Sequence, residues 1–255
     1  MGPFGAMYIA WPLGVQDGIR DMATQLLVQQ HNVTPGREGE AFRWFKQELV
    51  PSLFAAGVAE ARRYALHDLQ LQPDGVQSYR YLSLFAYDRD AAPAAREALS
   101  RHARQRPLAS GMLSDDAGHV YDLTREWVPG PAPANLQAPE YLVVVMANYI
   151  ETMETEYHEW YDRVHGPEVL AIPEFYAMQR GRRAPVQTEP ANPYPSNALV
   201  LLHLRTEDVL CTLDEFRARA TGESKTGIHW NVRSPAASLN RTTHVFAPTT
   251  PLFTA

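Results

Sequence analysis

Three side chains that could carry out acid–base chemistry recur at intervals of four residues in the second half of the sequence. They are Tyr157, Tyr161 and His165. Residues four apart on a helix share a face, so a helix here would place two phenols and an imidazole along one wall of a pocket. An imidazole titrates near neutral pH and can take a proton from carbon or oxygen and return it elsewhere. A second interpretation is structural: His165 caps a helix that Gly166 and Pro167 interrupt.

The segment that carries these residues has a weaker copy in the first half of the chain. The segments EYHEWYDRVHGPEVLAIPEFYAMQR at 156–180 and EAFRWFKQELVPSLFAAGVAEARRY at 40–64 match at an offset of 116 residues. Leu49 stands in the copy where the second segment has His165. Because leucine cannot transfer protons, the sequence predicts one acid–base site rather than a pair.

Two aromatic positions of this repeat lead to different expectations. Trp160 recurs as Trp44 in the copy that lacks the histidine, which favours a core role for the indole over a role in substrate binding. Tyr161 corresponds to Phe45, so its hydroxyl occurs only together with His165. We therefore predict that Tyr161 acts beside His165 as a hydrogen-bond donor to substrate.

Five further residues are candidates for substrate binding. His203 lies in the apolar strand pattern ALVLLHL, where it could face the same cavity as His165 or be a core histidine with a buried partner. Arg180 could anchor a carboxylate or phenolate, or form an ion pair at a strand end. Asn148 lies near the end of an apolar strand. His229 and Trp230 belong to the loop sequence IHWN, and loops near strand ends often complete pockets.

Metal and cofactor motifs give little support to other chemistries. His158, Asp162 and His165 could share a helix face, but HEWYD lacks the second histidine of the HExxH zinc motif. The chain also lacks the GxGxxG, GxxxxGK[ST] and GxSxG patterns of dinucleotide, P-loop and α/β-hydrolase sites. We therefore expect neither a metal nor an organic cofactor.

Composition limits the class of protein and its partners. The chain has 255 residues, of which 45% are apolar, and a formal net charge of -6 without a block of basic residues. We therefore expect the partner to be a small-molecule substrate and not nucleic acid. Cys211 is the single cysteine, which suits a reducing compartment, and we expect it to be buried in the core. We find no secretory signal and no apolar run near the roughly 20 residues that span a bilayer, so a cytoplasmic protein without a membrane partner is expected.

Hydrophobic periodicity predicts an α+β fold in which the order β-α-β-β-α-β occurs twice. Spacings of three and four among apolar residues predict an additional helix at about 15–30, inserted after the first strand. The predicted strands are Met7–Leu13, Ala59–Asp68, Tyr79–Tyr87, His119–Val128, Tyr141–Tyr149, Phe175–Arg183, Ala198–Arg205 and Asn240–Ala247. The other predicted helices are Gly39–Ala56, Pro93–Gln105, Glu151–Leu170 and Asp208–Ala220.

The two halves are separated by a segment with four prolines, 129–139. We predict an N-terminal ferredoxin-like repeat at 7–128 and a C-terminal repeat at 140–255 that carries the site. The strands YLVVVMA and ALVLLHL are apolar on both faces, which indicates that both faces are buried. Packing the two sheets against each other within one chain would bury them and form an intrachain α/β barrel.

The segment EYHEWYDRVHGPEVLAIPEFYAMQR at 156–180 carries a family resemblance. It is similar to the W-Y-x-x-x-H-x-P-E-x-L-A-x-P-G-F pattern of EthD-like proteins in the dimeric α/β-barrel (ferredoxin-like) superfamily, with Glu174 in place of the glycine. The resemblance covers residues 140–255 well and 7–128 more loosely. It implies the barrel fold and a homodimer as its oligomeric state, and it connects the chain with dehydratases, decarboxylases, cyclases, isomerases, cofactor-free monooxygenases and haem enzymes.

These observations lead to one main functional prediction and two alternatives. The main prediction is a cofactor-independent lyase or isomerase of the dehydratase, decarboxylase or cyclase type, acting on a small aromatic or polyketide-like substrate with His165 as general acid and base. The first alternative is a cofactor-free monooxygenase, or a haem enzyme with His165 or His203 as axial ligand. The second is a binding or dimerisation module without catalysis.

Overall fold

The computed structural model describes residues 24–71, 79–131, 135–188, 196–231 and 233–255, with the backbone alone for 24, 125–129 and 238–240. Nine strands form one antiparallel sheet. They are β1 (Thr24–Val33), β2 (Val58–Leu66), β3 (Tyr81–Asp88), β4 (Leu113–Pro129), β5 (Glu140–Tyr149), β6 (Phe175–Arg183), β7 (Ala198–Arg205), β8 (Ala237–Pro248) and β9 (Phe253–Thr254).

The sheet closes into a ring. The strand order is β3-β1-β4-β6-β7-β5-β8-β2-β9, and β2 also pairs with β3. The four strands β1 to β4 of the first half lie in the spatial order β4-β1-β3-β2. The four strands β5 to β8 of the second half lie in the equivalent order β8-β5-β7-β6. Pairing between β4 and β6 and between β8 and β2 joins the halves.

Four helices complete the α+β fold, and three of them consist of segments that differ in winding. They are α1 (Glu38–Trp44, Phe45–Leu49 and Val50–Phe54), α2 (Ala92–Ala98, Leu99–Gln105 and Arg106–Ala109), α3 (Glu151–Met153, Glu154–Trp160, Tyr161–His165 and Gly166–Leu170) and α4 (Val209–Thr221). The described elements follow the order β-α-β-β-α-β from β1 to β4 and again from β5 to β8, with β1 in the place predicted for Met7–Leu13. No helix in the described part of the chain is long and apolar enough to span a membrane.

Buried apolar side chains form a cluster inside the ring and one beneath each helix pair. The inner cluster draws on strands of both halves, including Leu26 and Leu84 from the first and Leu142 and Leu201 from the second. Two further clusters join α1 and α2 to the first half of the sheet and α3 and α4 to the second. The strands of the second half are thus buried on both faces, which explains why YLVVVMA and ALVLLHL do not alternate with polar residues.

The helix predicted at about 15–30 is wrong over its second part, because Thr24–Val33 is strand β1. The spacing of Leu26 and Leu27 from earlier apolar residues suggested a helix. In the structure Leu27 packs beneath the helices and Leu26 inside the ring, so adjacent apolar residues bury opposite faces of one strand. The first part of that helix and the predicted strand Met7–Leu13 lie outside the described residues.

Cys211 also differs from the prediction, since its thiol is exposed rather than buried. It lies in the first turn of α4, where its N–H donates to the carboxylate of the capping residue Asp208 at 2.9 Å. Val209 and Leu213, four residues apart, form the buried stripe of this helix. The cysteine lies off that stripe and faces solvent.

Candidate functional site

Helix α3 places Tyr161 and His165 through a local widening of its winding. Tyr161–His165 is a π-helical turn, and Pro167 follows two residues after it. Proline has no N–H and its ring collides with the carbonyl four residues earlier, so a wider turn accommodates it. The π turns of α1 and α2 likewise precede Pro51 and Pro107 by two residues. The proline positions in the sequence thus account for the three widened turns.

Gly166 allows this part of α3 to approach the sheet closely. A Cβ atom added to Gly166 would lie 2.6 Å from the carbonyl oxygen of Tyr161 and 2.7 Å from the methyl carbon of Met178 in β6. Both distances are shorter than van der Waals contact. A residue without a side chain is therefore required for His165 to keep its position above the sheet.

The imidazole of His165 is enclosed by aromatic rings. It stacks on Trp160 with 4.6 Å between ring centroids and 5° between planes, and it meets Tyr161 and Trp230 edge-on at 5.0 and 4.9 Å. Its Nδ1 lies 3.6 Å from Oε2 of Glu168. Burial lowers the pKa of His165 to about 4, against the opposing effect of the Glu168 carboxylate. The imidazole is therefore neutral at physiological pH and able to accept a proton.

Glu168 is fixed from its other side by the loop that follows α4. Its Oε1 accepts hydrogen bonds from the backbone N–H of Asn231 at 2.7 Å and from the side-chain amide of Asn231 at 2.5 Å. This pairing holds the carboxylate next to His165 and also positions Trp230. We did not predict a role for Glu168 from sequence, although it is the acidic residue of the H-x-P-E pattern and follows the histidine by three positions.

A cavity of about 300 Å³ lies between α3, α4 and the outer face of the second-half sheet. Its volume falls at the lower end of the range of about 300–1,000 Å³ found for small-molecule pockets. The walls are mainly apolar, and they include Val145, Val169, Val200, Leu202, Phe216 and Trp230. The polar groups that face it include Tyr161, His165, Arg217, Arg241 and Thr243.

The structure places three of the predicted site residues on the cavity wall and two directly behind it. Tyr161, His165 and Trp230 line the cavity. Tyr157 packs against Tyr161 with 5.1 Å between centroids, and Trp160 packs against Tyr161 and His165. The indole N–H groups of Trp160 and Trp230 are buried without a hydrogen-bond partner among the described residues, whereas the hydroxyl of Tyr157 interacts with that of Tyr161. Because buried polar groups in proteins are normally bonded, such atoms commonly mark places for a ligand or water.

His203 does not share this cavity. It pairs across the sheet with Leu142, which belongs to the cluster inside the ring, and it lies 6.0 Å from the ring of Tyr176. Its neighbours Val200 and Leu202 are the β7 residues that line the cavity, and strand alternation turns His203 to the opposite face. Burial lowers the pKa of His203 to about 4.

The other predicted residues also lie away from the cavity wall. Arg180 is buried and bound to the carboxylate of Asp162, in agreement with the ion-pair interpretation. Asn148 accepts the backbone N–H of Asn197 at 3.2 Å and ties the end of β5 to β7. His229 is exposed to solvent.

The corresponding region of the first half has no equivalent of the histidine. Leu49 and Phe45 are buried beneath α1, and Phe45 packs on Phe85 and Phe253 with centroids 6.1 and 6.3 Å apart. Among the described residues no group of three histidine, cysteine or acidic side chains is arranged to hold a metal ion. His158 lies instead 3.7 Å from Glu154.

Comparison with known structures shows the dimeric α/β-barrel fold. An anthrone oxidase-like protein is similar with a TM-score of 0.59 and 11% identity over 92% of this chain and 94% of the other. A protein with a provisional monooxygenase name from Fusobacterium nucleatum subsp. nucleatum gives 0.53 and 8% over 92% and 95%. A variant of chlorite dismutase from Candidatus Nitrospira defluvii gives 0.50 and 9% over 89% and 93%. No protein-family model and no curated protein sequence matches the chain.

These neighbours correct the prediction of a lyase or isomerase. Their names are those of an oxidase-like protein, a monooxygenase and a chlorite dismutase, and they favour the oxidative alternative. Proton transfer by a histidine on a cavity wall serves either chemistry as its first step. The site residues alone could not distinguish a lyase or isomerase from an oxidative enzyme. Proton removal from carbon leaves a carbanion in both cases, and the fate of that carbanion is decided by the substrate and by access of oxygen.

Proposed function

We propose that this chain is a cofactor-independent oxidase or monooxygenase that acts on a small fused-ring aromatic compound of the anthrone type. The observation that carries the proposal is the neutral His165 imidazole, held beside Glu168 on the wall of a 300 Å³ apolar cavity. The neighbour named as anthrone oxidase-like supports the substrate class. An anthrone has three fused rings and an acidic methylene group opposite its ketone, and it suits a cavity of this size and apolar character.

The first step requires a base. With Nδ1 of His165 directed at Glu168, Nε2 is the nitrogen that takes the proton from the methylene carbon of the substrate. The electron pair of the broken C–H bond delocalises through the ring to the ketone oxygen and forms an enolate. The Glu168 carboxylate stabilises the imidazolium that results, in the way a carboxylate orients and stabilises the histidine of a catalytic triad.

The second step uses oxygen as the oxidant. The enolate transfers one electron to O₂, and the substrate radical and superoxide combine to form a carbon–oxygen bond. The resulting peroxide anion takes the proton back from His165 to give the hydroperoxide, and loss of water from the hydroperoxide leaves a second ketone. In total the substrate and one O₂ give the quinone and one water. The apolar wall admits O₂ and excludes bulk water, which keeps the enolate from being protonated by solvent.

An oxygen-uptake experiment tests this proposal. Purified protein incubated with anthrone should consume one O₂ per quinone formed, and His165→Gln should lower the rate by about 10²- to 10⁴-fold, the usual contribution of a positioned base. His165→Leu should behave alike and still fold, because leucine occupies the matching position in the first half. His102→Gln, on α2, is the control and should retain the wild-type rate. Equal rates in all four proteins would exclude His165 as the base.

The site fits a haem poorly. A neutral histidine whose Nδ1 faces a carboxylate resembles an axial ligand, yet a haem is much larger than a three-ring aromatic. The described walls enclose only about 300 Å³ around His165, and His203 faces the interior of the ring. We therefore derive no step through haem, and we expect purified protein to lack the strong visible absorption of a porphyrin.

We further propose that the two halves are tandem ferredoxin-like repeats of an EthD-like protein. This is supported by their common strand order and by matching boundaries, since β1 begins at Thr24 and β5 at Glu140, 116 residues later. The division at 129–139, a homodimer and a cytoplasmic location remain predictions from the sequence. Size-exclusion chromatography with light scattering tests the homodimer.

A further inference from the structure

Besides Tyr161, the described side chains that face the cavity include three ionisable ones, and two of these three have partners within the chain. His165 is paired with Glu168. Arg217 on α4 donates from Nη1 to Asp214 at 2.6 Å, from Nε to the carbonyl of Leu71 at 3.0 Å, and from Nη2 to the carbonyl of Gln70. Arg217 therefore holds the segment after β2 against α4, and its donors are not free to bind substrate.

Arg241 differs from both. It forms no hydrogen bond or ion pair with any described residue, although it lines the cavity from strand β8. It pairs across the sheet with Ala147, and Ala147 pairs with Ala198, so the floor beside it consists of small side chains. Thr243, two residues further along the same face, also lines the cavity. Arg241 is exposed to solvent, so its guanidinium stands at the open edge of the apolar cavity.

A second positive charge lies close by. Arg233 is partly buried, and repulsion from Arg241 adds to burial in lowering the pKa of Arg233. Both arginines also oppose protonation of His165. Glu168, the acidic group next to His165, is bound by Asn231, and Asp214 is bound by Arg217. The positive charges of Arg241 and Arg233 therefore both act at this edge of the cavity, where they would attract an anion.

We infer that the cavity takes an aromatic substrate that carries an acidic group, with the rings in the apolar space and a carboxylate or equivalent anion against Arg241. This inference rests on the proposed function for the identity of the ring system and goes beyond it in naming the charge. A guanidinium presents parallel N–H donors that match a carboxylate, and the apolar walls beside it suit aromatic rings. The anion would thereby fix one end of the molecule in the cavity that also holds the imidazole of His165.

Equilibrium binding of two unreactive ligands tests the inference without any turnover. Anthraquinone-2-carboxylate and its uncharged carboxamide have the same rings, and each can be followed by quenching of the fluorescence of Trp160 and Trp230. Wild-type protein should bind the carboxylate at least about tenfold more tightly than the amide, the usual size of a charge-assisted hydrogen bond. Arg241→Gln should bind both with the affinity of the amide, and Arg241→Lys should keep part of the preference. Arg101→Gln removes an equal charge from an exposed site on α2 and should change neither affinity.

The outcomes separate this inference from the proposed function. Equal affinity for the two ligands in wild-type protein would overturn the inference and leave the proposed oxidase intact. Preference for the carboxylate without oxygen uptake on any anthrone would support the inference and overturn the oxidase. A third outcome is that Arg241→Gln slows the turnover of neutral and acidic anthrones equally and leaves the affinity for both ligands unchanged. In that case Arg241 stabilises an anion formed during the reaction rather than an acidic group of the substrate, and the inference is wrong.

Discussion

At the residue scale, the site depends on how burial sets the protonation of His165. The imidazole is enclosed by three aromatic rings, and the Glu168 carboxylate only partly offsets the loss of hydration. A histidine in water would be partly protonated at neutral pH, whereas this one is not. Burial in this aromatic enclosure thus keeps the imidazole unprotonated and able to accept a proton.

The pH dependence of catalysis follows from this environment. Proton abstraction needs neutral His165, whose pKa is lowered from 6.5 to about 4. The kcat/KM for anthrone oxidation should therefore be level between pH 6 and 8 and fall only as the pH drops below about 5. A stopped-flow pH profile measures this. A half-maximal value near pH 6.5 would mean that the base is an exposed histidine instead.

Sequence could identify some site residues and not others, for identifiable reasons. The helical spacing of Tyr161 and His165 predicted that they share one wall of a pocket. The loop position of Trp230 predicted that it completes that pocket. His203 was assigned to the cavity as one alternative, but a strand that is apolar on both faces does not disclose which face meets the helices. Arg241 gave no signal, because its neighbours in sequence, Asn240 and Thr242, resemble those of any exposed strand end.

At the element scale, α3 depends on the close approach that Gly166 permits. Gly166→Ala should destabilise the protein by about 1–3 kcal/mol, as overpacking usually does, and should also lower activity by displacing His165. Gly39→Ala in α1 is the matched control, since its Cβ would meet one side-chain atom at 3.6 Å. Urea denaturation followed by tryptophan fluorescence measures both variants. If Gly166→Ala is as stable as Gly39→Ala, the close packing of α3 on β6 is not tight in solution.

Strands were predicted with the right boundaries where the apolar pattern of the segment itself identified them. Phe175–Arg183 and Ala198–Arg205 have the predicted boundaries. The error at β1 arose from giving weight to helical spacing at Leu26 and Leu27 over the repeat. Shifting the predicted strand Tyr141–Tyr149 back by the 116-residue offset would have pointed to 25–33, which is almost the whole of β1.

At the scale of the whole molecule, the closed ring buries several histidines in their neutral form. Burial lowers the pKa of His31 to about 3 and those of His119, His165 and His203 to about 4. In the unfolded chain each would bind a proton near pH 6.5, so unfolding takes up protons between pH 6.5 and 4. Stability is therefore complete above pH 6.5 and is lost as the pH falls toward 4.

This linkage can be measured directly. The free energy of unfolding should decrease between pH 7 and pH 5, with a slope that approaches about 1.4 kcal/mol per pH unit for each proton taken up. Urea titrations at pH 7, 6 and 5 give the slope, and the variant His165→Leu should reduce it by the contribution of one proton. An unfolding free energy that does not change over this range would show that these histidines are hydrated in the folded protein.

The account depends most on His165 removing a proton from carbon inside the cavity, and anaerobic hydrogen exchange tests this step apart from oxidation. Wild-type protein in D₂O without oxygen should accelerate deuterium incorporation at the methylene carbon of anthrone, as followed by NMR. We predict that His165→Leu exchanges at the rate of the protein-free solution, while His102→Gln matches wild type. Exchange that is equally fast in wild type and in His165→Leu would contradict the assignment of His165 as the base.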